Sequence, residues 1–301
     1  MLNKLRPTTG QFQSMQRSAV SECQFSARSL PVLVSVPHAG RDLPVDIAAE
    51  ARVSRCELER LSDGWSDLIA APLLAAGARV IKANMLRAVA DCNRHEGDMD
   101  VIDVTVPLRP RFGPPGRKAR AGLGVVPTRL LGSGQLWRRP LSPQAFEARL
   151  NQAYRPFHTA LAAARAALLA RFGHVLVIDL HSMPSLPLST MGRAAQIVVG
   201  DRHGRSADPA IAAKLMQRAT EQGFRAAHNN PYPGGHIVTA MGAPLSRVHA
   251  VQVEFDRALY LNADGRADAD RALALGEWLR DAVLALLPRL SASDDWLLAA
   301  E

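Results

Sequence analysis

The strongest constraint on this chain is a set of short, largely aliphatic runs, each closing on a polar residue. Leu30–Val36 runs into Pro37, His38, Ala39 and Gly40; Val175–Leu180 ends at His181; His249–Phe255 carries Glu254 near its end. Arg79–Ala83 and Ala195–Gly200 supply two more strand candidates. Continuous apolar runs of this length read as strands buried on both faces. Such a sheet needs cover on each side, and the intervening segments have helical spacing: Ile47–Leu58, Asp63–Ala75, Ser142–Leu169, Asp208–Gln222 and Ala269–Leu287. Pro156 predicts a break inside the third of these and Gly276 a weak point in the last. Strands alternating with helices predict an α/β fold. Ligands of open α/β sheets gather beyond the carboxyl ends of the strands, which makes the polar strand ends the first place to look for chemistry.

Composition sets the frame for that reading. The chain has 301 residues, 48% hydrophobic and 21% charged, which excludes a disordered or fibrous class. Residues 1–29 are polar and aperiodic and read as a flexible leader. Residues 30–301 read as one catalytic domain, with a Pro/Gly/Arg-rich excursion at about 101–135 whose length points to a functional loop such as a lid. A net charge of +8 invites a nucleic-acid partner, but only 5% of residues are aromatic and most arginines are scattered along helical segments. The balance fits a small anion better. Three cysteines without close spacing imply neither a disulfide framework nor a cysteine zinc site. Without a signal-like segment or an apolar run near ~20 residues, the expectation is a cytoplasmic protein with no membrane contact. Nothing in the sequence specifies an oligomeric state.

His38 and His181 form the natural pair of metal ligands, each following an apolar strand and each followed by a small residue. A catalytic zinc takes three protein ligands from His, Asp or Glu and leaves a position for water. Asp63 and Asp67 are spaced by one helical turn; Asp63 is read as the third ligand and Asp67 as a support or substrate contact, and the spacing allows the reverse. Asp179, two residues before His181, is placed to orient a ligand histidine or to cap a nearby loop. Glu254 closes a buried strand and is read as the general base, against a plain ion pair with Arg257. Arg87 and Arg94, with Asn93 beside them, can hold a substrate carboxylate, against structural pairing with Asp91 or Asp98. The Asn229–His236 turn, with Tyr232, is read as closing over the substrate.

In this order, SVPHAG (35–40), DCNR (91–94), DLHSMP (179–184), NPYPGG (230–235) and VQVEFDRALY (251–260) resemble the N-formylglutamate amidohydrolase family, which is related to the zinc carboxypeptidase-like hydrolases. The resemblance runs from Val34 to about Leu261. It implies a three-layer αβα fold around a mixed, mostly parallel sheet and one catalytic Zn2+ held by His38, Asp63 and His181. Arg41 departs from the carboxypeptidase pattern, which has a glutamate there. The resemblance further implies that Asn93 and Arg94 grip a carboxylate, that Arg87 or Arg94 assists at the formyl group, and that Glu254 deprotonates water. The implied reaction converts N-formyl-L-glutamate and water to formate and L-glutamate, a step of histidine degradation. A side-chain carboxylate needs a second cation, for which Arg138, Arg139, Arg193 and Arg202 are the candidates. The competing readings are a zinc amidase or peptidase acting on another N-acyl amino acid or short peptide, and a non-catalytic basic binding protein.

Overall fold

A computed structural model describes residues 18–22, 29–187 and 194–291. In chain order its main elements are β1 (Val20–Glu22), β2 (Val32–Val36), α1 (Val45–Glu50), α2 (Arg55–Glu59), α3 (Ser66–Ala75) and β3 (Arg79–Ala83). The excursion holds α4 (Arg117–Arg120) and the hairpin β4 (Arg129–Leu130) and β5 (Gly134–Gln135). There follow α5 (Pro143–Arg149), α6 (Arg155–Phe172), β6 (Val175–Met183), β7 (Ile197–Gly200) and α7 (Pro209–Glu221). The chain continues with β8 (Ala226–His228), α8 (His236–Met241), β9 (Val248–Asp256), α9 (Ala269–Leu284) and α10 (Leu287–Ser291).

Seven strands form one sheet in the order β1-β3-β2-β6-β9-β7-β8. β3, β2, β6 and β9 are mutually parallel; β1 and the β7/β8 pair run against them, so the sheet is mixed and mostly parallel. Alternate side chains feed two cores, as the period of a strand requires. Val34, Ile178, Leu180, Val251 and Val253 pack under α3, α7 and α9, while Leu33, Ile81, Val177 and Ala250 pack under α6 and α8. The excursion is ordered because it has an apolar cluster of its own, with Leu58, Leu86, Val126, Trp137, Phe146 and Leu150 at its centre.

Several elements differ from their sequence expectation, each for a local reason. The leader expected to be flexible contains β1, an edge strand paired with β3 and tied by an Arg79–Glu22 ion pair; residues 1–17 and 23–28 lie outside the described residues. The 47–58 helix is two, because Ser54 and Glu57 make a reciprocal capping box that starts α2 afresh. The 63–75 helix begins only at Ser66, since Trp65 takes a left-handed conformation at φ 65°. Asp63 therefore sits in the turn before α3 and shares no helical face with Asp67. Pro156 does not break its helix: a π turn over Leu150–Tyr154, with the Arg155 amide donating to Leu150, carries the helix past the missing proline donor. Gly276 is no weak point either. A Cβ there would lie 2.5 Å from the Ile69 carbonyl oxygen, so the glycine is what lets α9 lie directly on α3.

Candidate metal centre and cleft

The parallel strands β2 and β6 end side by side and deliver His38 and His181 to one edge of the sheet. Asp63 reaches the same point from the turn before α3, its amide bonded to the His38 carbonyl. All three are buried, with 2–3% of their surface exposed. Asp63 Oδ2 lies 2.9 Å from His181 Nδ1 and 3.4 Å from His38 Nδ1. The ligand atoms lie within 4.8 Å of one another, and among the described residues no other such group occurs. The spacings bracket the ~3.4 Å edge of a tetrahedron with ~2.1 Å ligand bonds.

The far nitrogen of each ring is held by its own carboxylate. His38 Nε2 donates to Asp91 Oδ1 at 2.7 Å and His181 Nε2 to Asp179 Oδ2 at 3.0 Å. In the neutral rings this bonding favours the tautomer whose Nδ1 lone pair is free for a cation shared with Asp63, the arrangement of a metal-ligating histidine. His38 Nδ1 is buried without a hydrogen bond, a cost that a cation would remove. Two histidines and one carboxylate are a donor set that fits zinc. Burial alone would neutralise the acids, but their partners outweigh it. The adjacent His181 and His38 rings hold Asp63 well below the usual carboxylate range, and Arg87 and Arg94 do the same for Asp91. For His181, burial opposes the imidazolium, but Asp179, Asp63 and Glu254 together keep its pKa well above the ordinary value.

A cleft of about 750 Å³ opens over this cluster, and Glu254 lines it. Glu254 is level with His181 across the β6–β9 pair, on the adjacent strand. Its Oε1 accepts from Gln252 Nε2 at 2.8 Å, and Gln252 Oε1 in turn accepts the Gly235 amide at 2.8 Å. Burial pushes the Glu254 carboxyl up to about 7. The expected alternative, an ion pair with Arg257, is not formed; Arg257 donates instead to Asp63 Oδ1 at 3.1 Å.

The cleft also gathers Arg87, Asn93, Arg94 and Tyr232, the residues assigned from sequence to catalysis or substrate binding. Their bonding differs from the prediction. Arg87 donates from Nε and Nη2 to Asp91, and Asn93 Nδ2 lies 3.2 Å from Asp179 Oδ2 and 2.9 Å from His181 Nε2. Both brace the histidine supports. Arg94 donates Nε and Nη1 to main-chain carbonyls of Leu123 and Asn93. Asp67 is not among the residues lining the cleft: Arg41 and Lys82 hold it, and Arg41 stacks on Trp65. Arg138, Arg139 and Arg202 do not line the cleft, and Arg193 lies outside the described residues. The cations that line it beyond Arg87 and Arg94 are Arg60, Arg117, Lys118 and Arg257, none assigned there from sequence. Gln252 was legible: it and Glu254 are two polar residues sharing one face of a buried strand. The other four have no such signal.

A mixed α/β sheet with a two-histidine, one-carboxylate cluster at its strand ends and a carboxylate poised in the cleft above defines a metal-dependent hydrolase. The chain belongs to the N-formylglutamate amidohydrolase family, whose profile matches residues 30–261. It is 31% identical over 276 residues to the N-formylglutamate deformylase of Pseudomonas aeruginosa, covering 87% of this chain and 95% of that one. It is 30% identical over 248 residues to the corresponding protein of Pseudomonas putida, covering 79% and 84%. The crystal structure of N-formylglutamate amidohydrolase from Ralstonia eutropha JMP134 superimposes with a TM-score of 0.84 at 26% identity, over 91% of this chain and 99% of that one.

Proposed function

We propose that this protein is a zinc-dependent deformylase converting N-formyl-L-glutamate and water to formate and L-glutamate. The observation that carries the proposal is the convergence of His38 Nδ1 and His181 Nδ1 on Asp63, each ring braced from behind, with Glu254 on the adjacent strand. His38, Asp63 and His181 would hold the zinc ion, which would supply Lewis acidity and make a water more acidic. Glu254 accepts the proton of the attacking water as its oxygen bonds to the formyl carbon. The same carboxyl returns the proton to the nitrogen as the C–N bond breaks, releasing formate and the amine. Arg94, with part of its guanidinium still unbonded, holds a substrate carboxylate, and Tyr232, which lines the same cleft, closes over the substrate. The finer assignment of the fold as zinc carboxypeptidase-like belongs to the same proposal; helices on both faces and a site at parallel strand ends support it.

Metal analysis of the purified protein and a formate-release assay test this reading together. About one zinc per chain and release of formate from N-formyl-L-glutamate are expected. Protein without stoichiometric metal, inactive after zinc is added back, would overturn it.

A further inference from the structure

The cleft holds more positive charge than the chemistry at the metal cluster uses. Arg87 and Arg257 are committed to Asp91 and Asp63. Arg117 and Lys118, from α4 of the basic excursion, line the same cleft. Neither side chain has a hydrogen bond or ion pair to a described residue. Burial, and then repulsion by Arg94 and Arg87, lower the pKa of Lys118, with Asp91 pulling the other way. Two adjacent exposed cations on the cleft wall with no bonded partner among the described residues leave their donors available to an anion in the cleft.

The excursion that carries them is tied to the centre. Gly116 N donates to Asp98 Oδ1, Leu123 N to the Lys118 carbonyl, Val125 N to the Asp98 carbonyl, and Arg94 Nε to the Leu123 carbonyl. The Asp91 amide donates to the Val125 carbonyl at 2.7 Å, and Asp91 is the carboxylate that orients His38. A short, hydrogen-bonded frame thus sets α4 relative to the metal cluster.

We propose that Arg117 and Lys118 bind the carboxylate of the substrate remote from the scissile amide, and so set a preference for acyl amino acids with an acidic side chain. This rests on the deformylase reading and names the specificity element within it. The class of ligand is a short aliphatic dicarboxylate, with one acid group at Arg94 and the other at α4.

The test compares the wild-type holoenzyme with R117Q/K118Q at equal zinc content, using N-formyl-L-glutamate and its neutral isostere N-formyl-L-glutamine. The ratio of kcat/KM for the two substrates is expected to fall about tenfold or more in the variant, mainly through KM, in line with the loss of charged hydrogen bonds at a partly exposed site. R117K/K118R should restore most of the ratio. An unchanged ratio, or an equal loss on both substrates, would overturn the proposal. Glutarate binding by calorimetry separates this from the deformylase reading, since it needs no turnover. If the wild type hydrolyses neither substrate yet binds glutarate at least tenfold more tightly than the variant, the subsite stands and the deformylase reading falls. Equal glutarate affinity in the two proteins sinks the subsite whatever the activity.

Discussion

Glu254 shows how a single side chain acquires a role from its surroundings. It is 8% exposed, one oxygen is fixed by Gln252, and burial lifts its pKa to about 7 against the pull of His181 and Arg87. A base with a pKa near neutrality is well matched to taking a proton and returning it. E254Q keeps the shape and the hydrogen bond but cannot accept a proton; kcat should fall by about 10² to 10⁴ with zinc content unchanged. Undiminished turnover would remove Glu254 as the base. With Glu254 as the proposed base its ionised form is the active one, and kcat/KM is expected to rise with pH through this pKa and level above it. A bound cation stabilises the carboxylate, which sets the limb below about 7 in the zinc-loaded enzyme. The residual activity of E254Q should not follow that limb. The identity of this residue was legible as a carboxylate ending a buried strand. Its anchoring by Gln252 and the Gly235 amide joins segments seventeen positions apart, which spacing alone does not reveal.

Elements position these residues through close packing at a few points. At Gly276, α9 meets α3 with no room for a side chain; the nearest atoms to an added Cβ are the Ile69 carbonyl oxygen at 2.5 Å and Pro72 Cδ at 2.8 Å. G276A would gain up to about 1 kcal/mol of helix propensity, yet overpacking against backbone costs about 1–3 kcal/mol. A Tm lower by a few degrees is expected in thermal unfolding, and a Tm at or above wild type would show that the helices part without cost. The π turn at Leu150–Tyr154 is a second such point. It brings Tyr154 Oη to donate to the Arg94 carbonyl at 2.9 Å and His158 Nε2 to donate to the Cys92 carbonyl at 2.9 Å, so the helix supports the Asp91–Arg94 loop from behind. From the sequence, Pro156 signalled only interruption. Whether a proline ends a helix or is carried through a wider turn depends on what the next turn packs against, here the Phe157 and Leu161 side chains in the core below the sheet.

At the scale of the molecule, the excess of positive charge is not evenly spent. The net charge is +8, and Arg60, Arg87, Arg94, Arg117, Lys118 and Arg257 face a cleft whose own carboxylates are Asp63 and Glu254. A cleft of one sign draws in opposite charge, and salt screens that attraction over about 8–10 Å at physiological strength. Raising ionic strength from about 0.02 to about 0.3 M should lower kcat/KM several-fold for doubly charged N-formyl-L-glutamate and less for singly charged N-formyl-L-glutamine. Parallel salt slopes for the two substrates would mean that the cleft charge does not act on the side-chain carboxylate. No helix among the described residues is long and apolar enough to cross a membrane.

The sequence alone determined the α/β alternation, because buried strands must be apolar on both faces and their polar ends then stand out. It determined His38, His181 and Glu254 as strand-end groups for the same reason. Only the tertiary structure decided how Asp63 and Asp67 divide. The sequence favoured Asp63 as the third ligand while its spacing allowed the reverse; the left-handed turn at Trp65 sends Asp63 to the histidines and leaves Asp67 to Arg41 and Lys82. It also decided which of many arginines line the cleft. Charge is a property of a residue, but its effect depends on distance and burial, and those depend on which loops fold back over the strand ends.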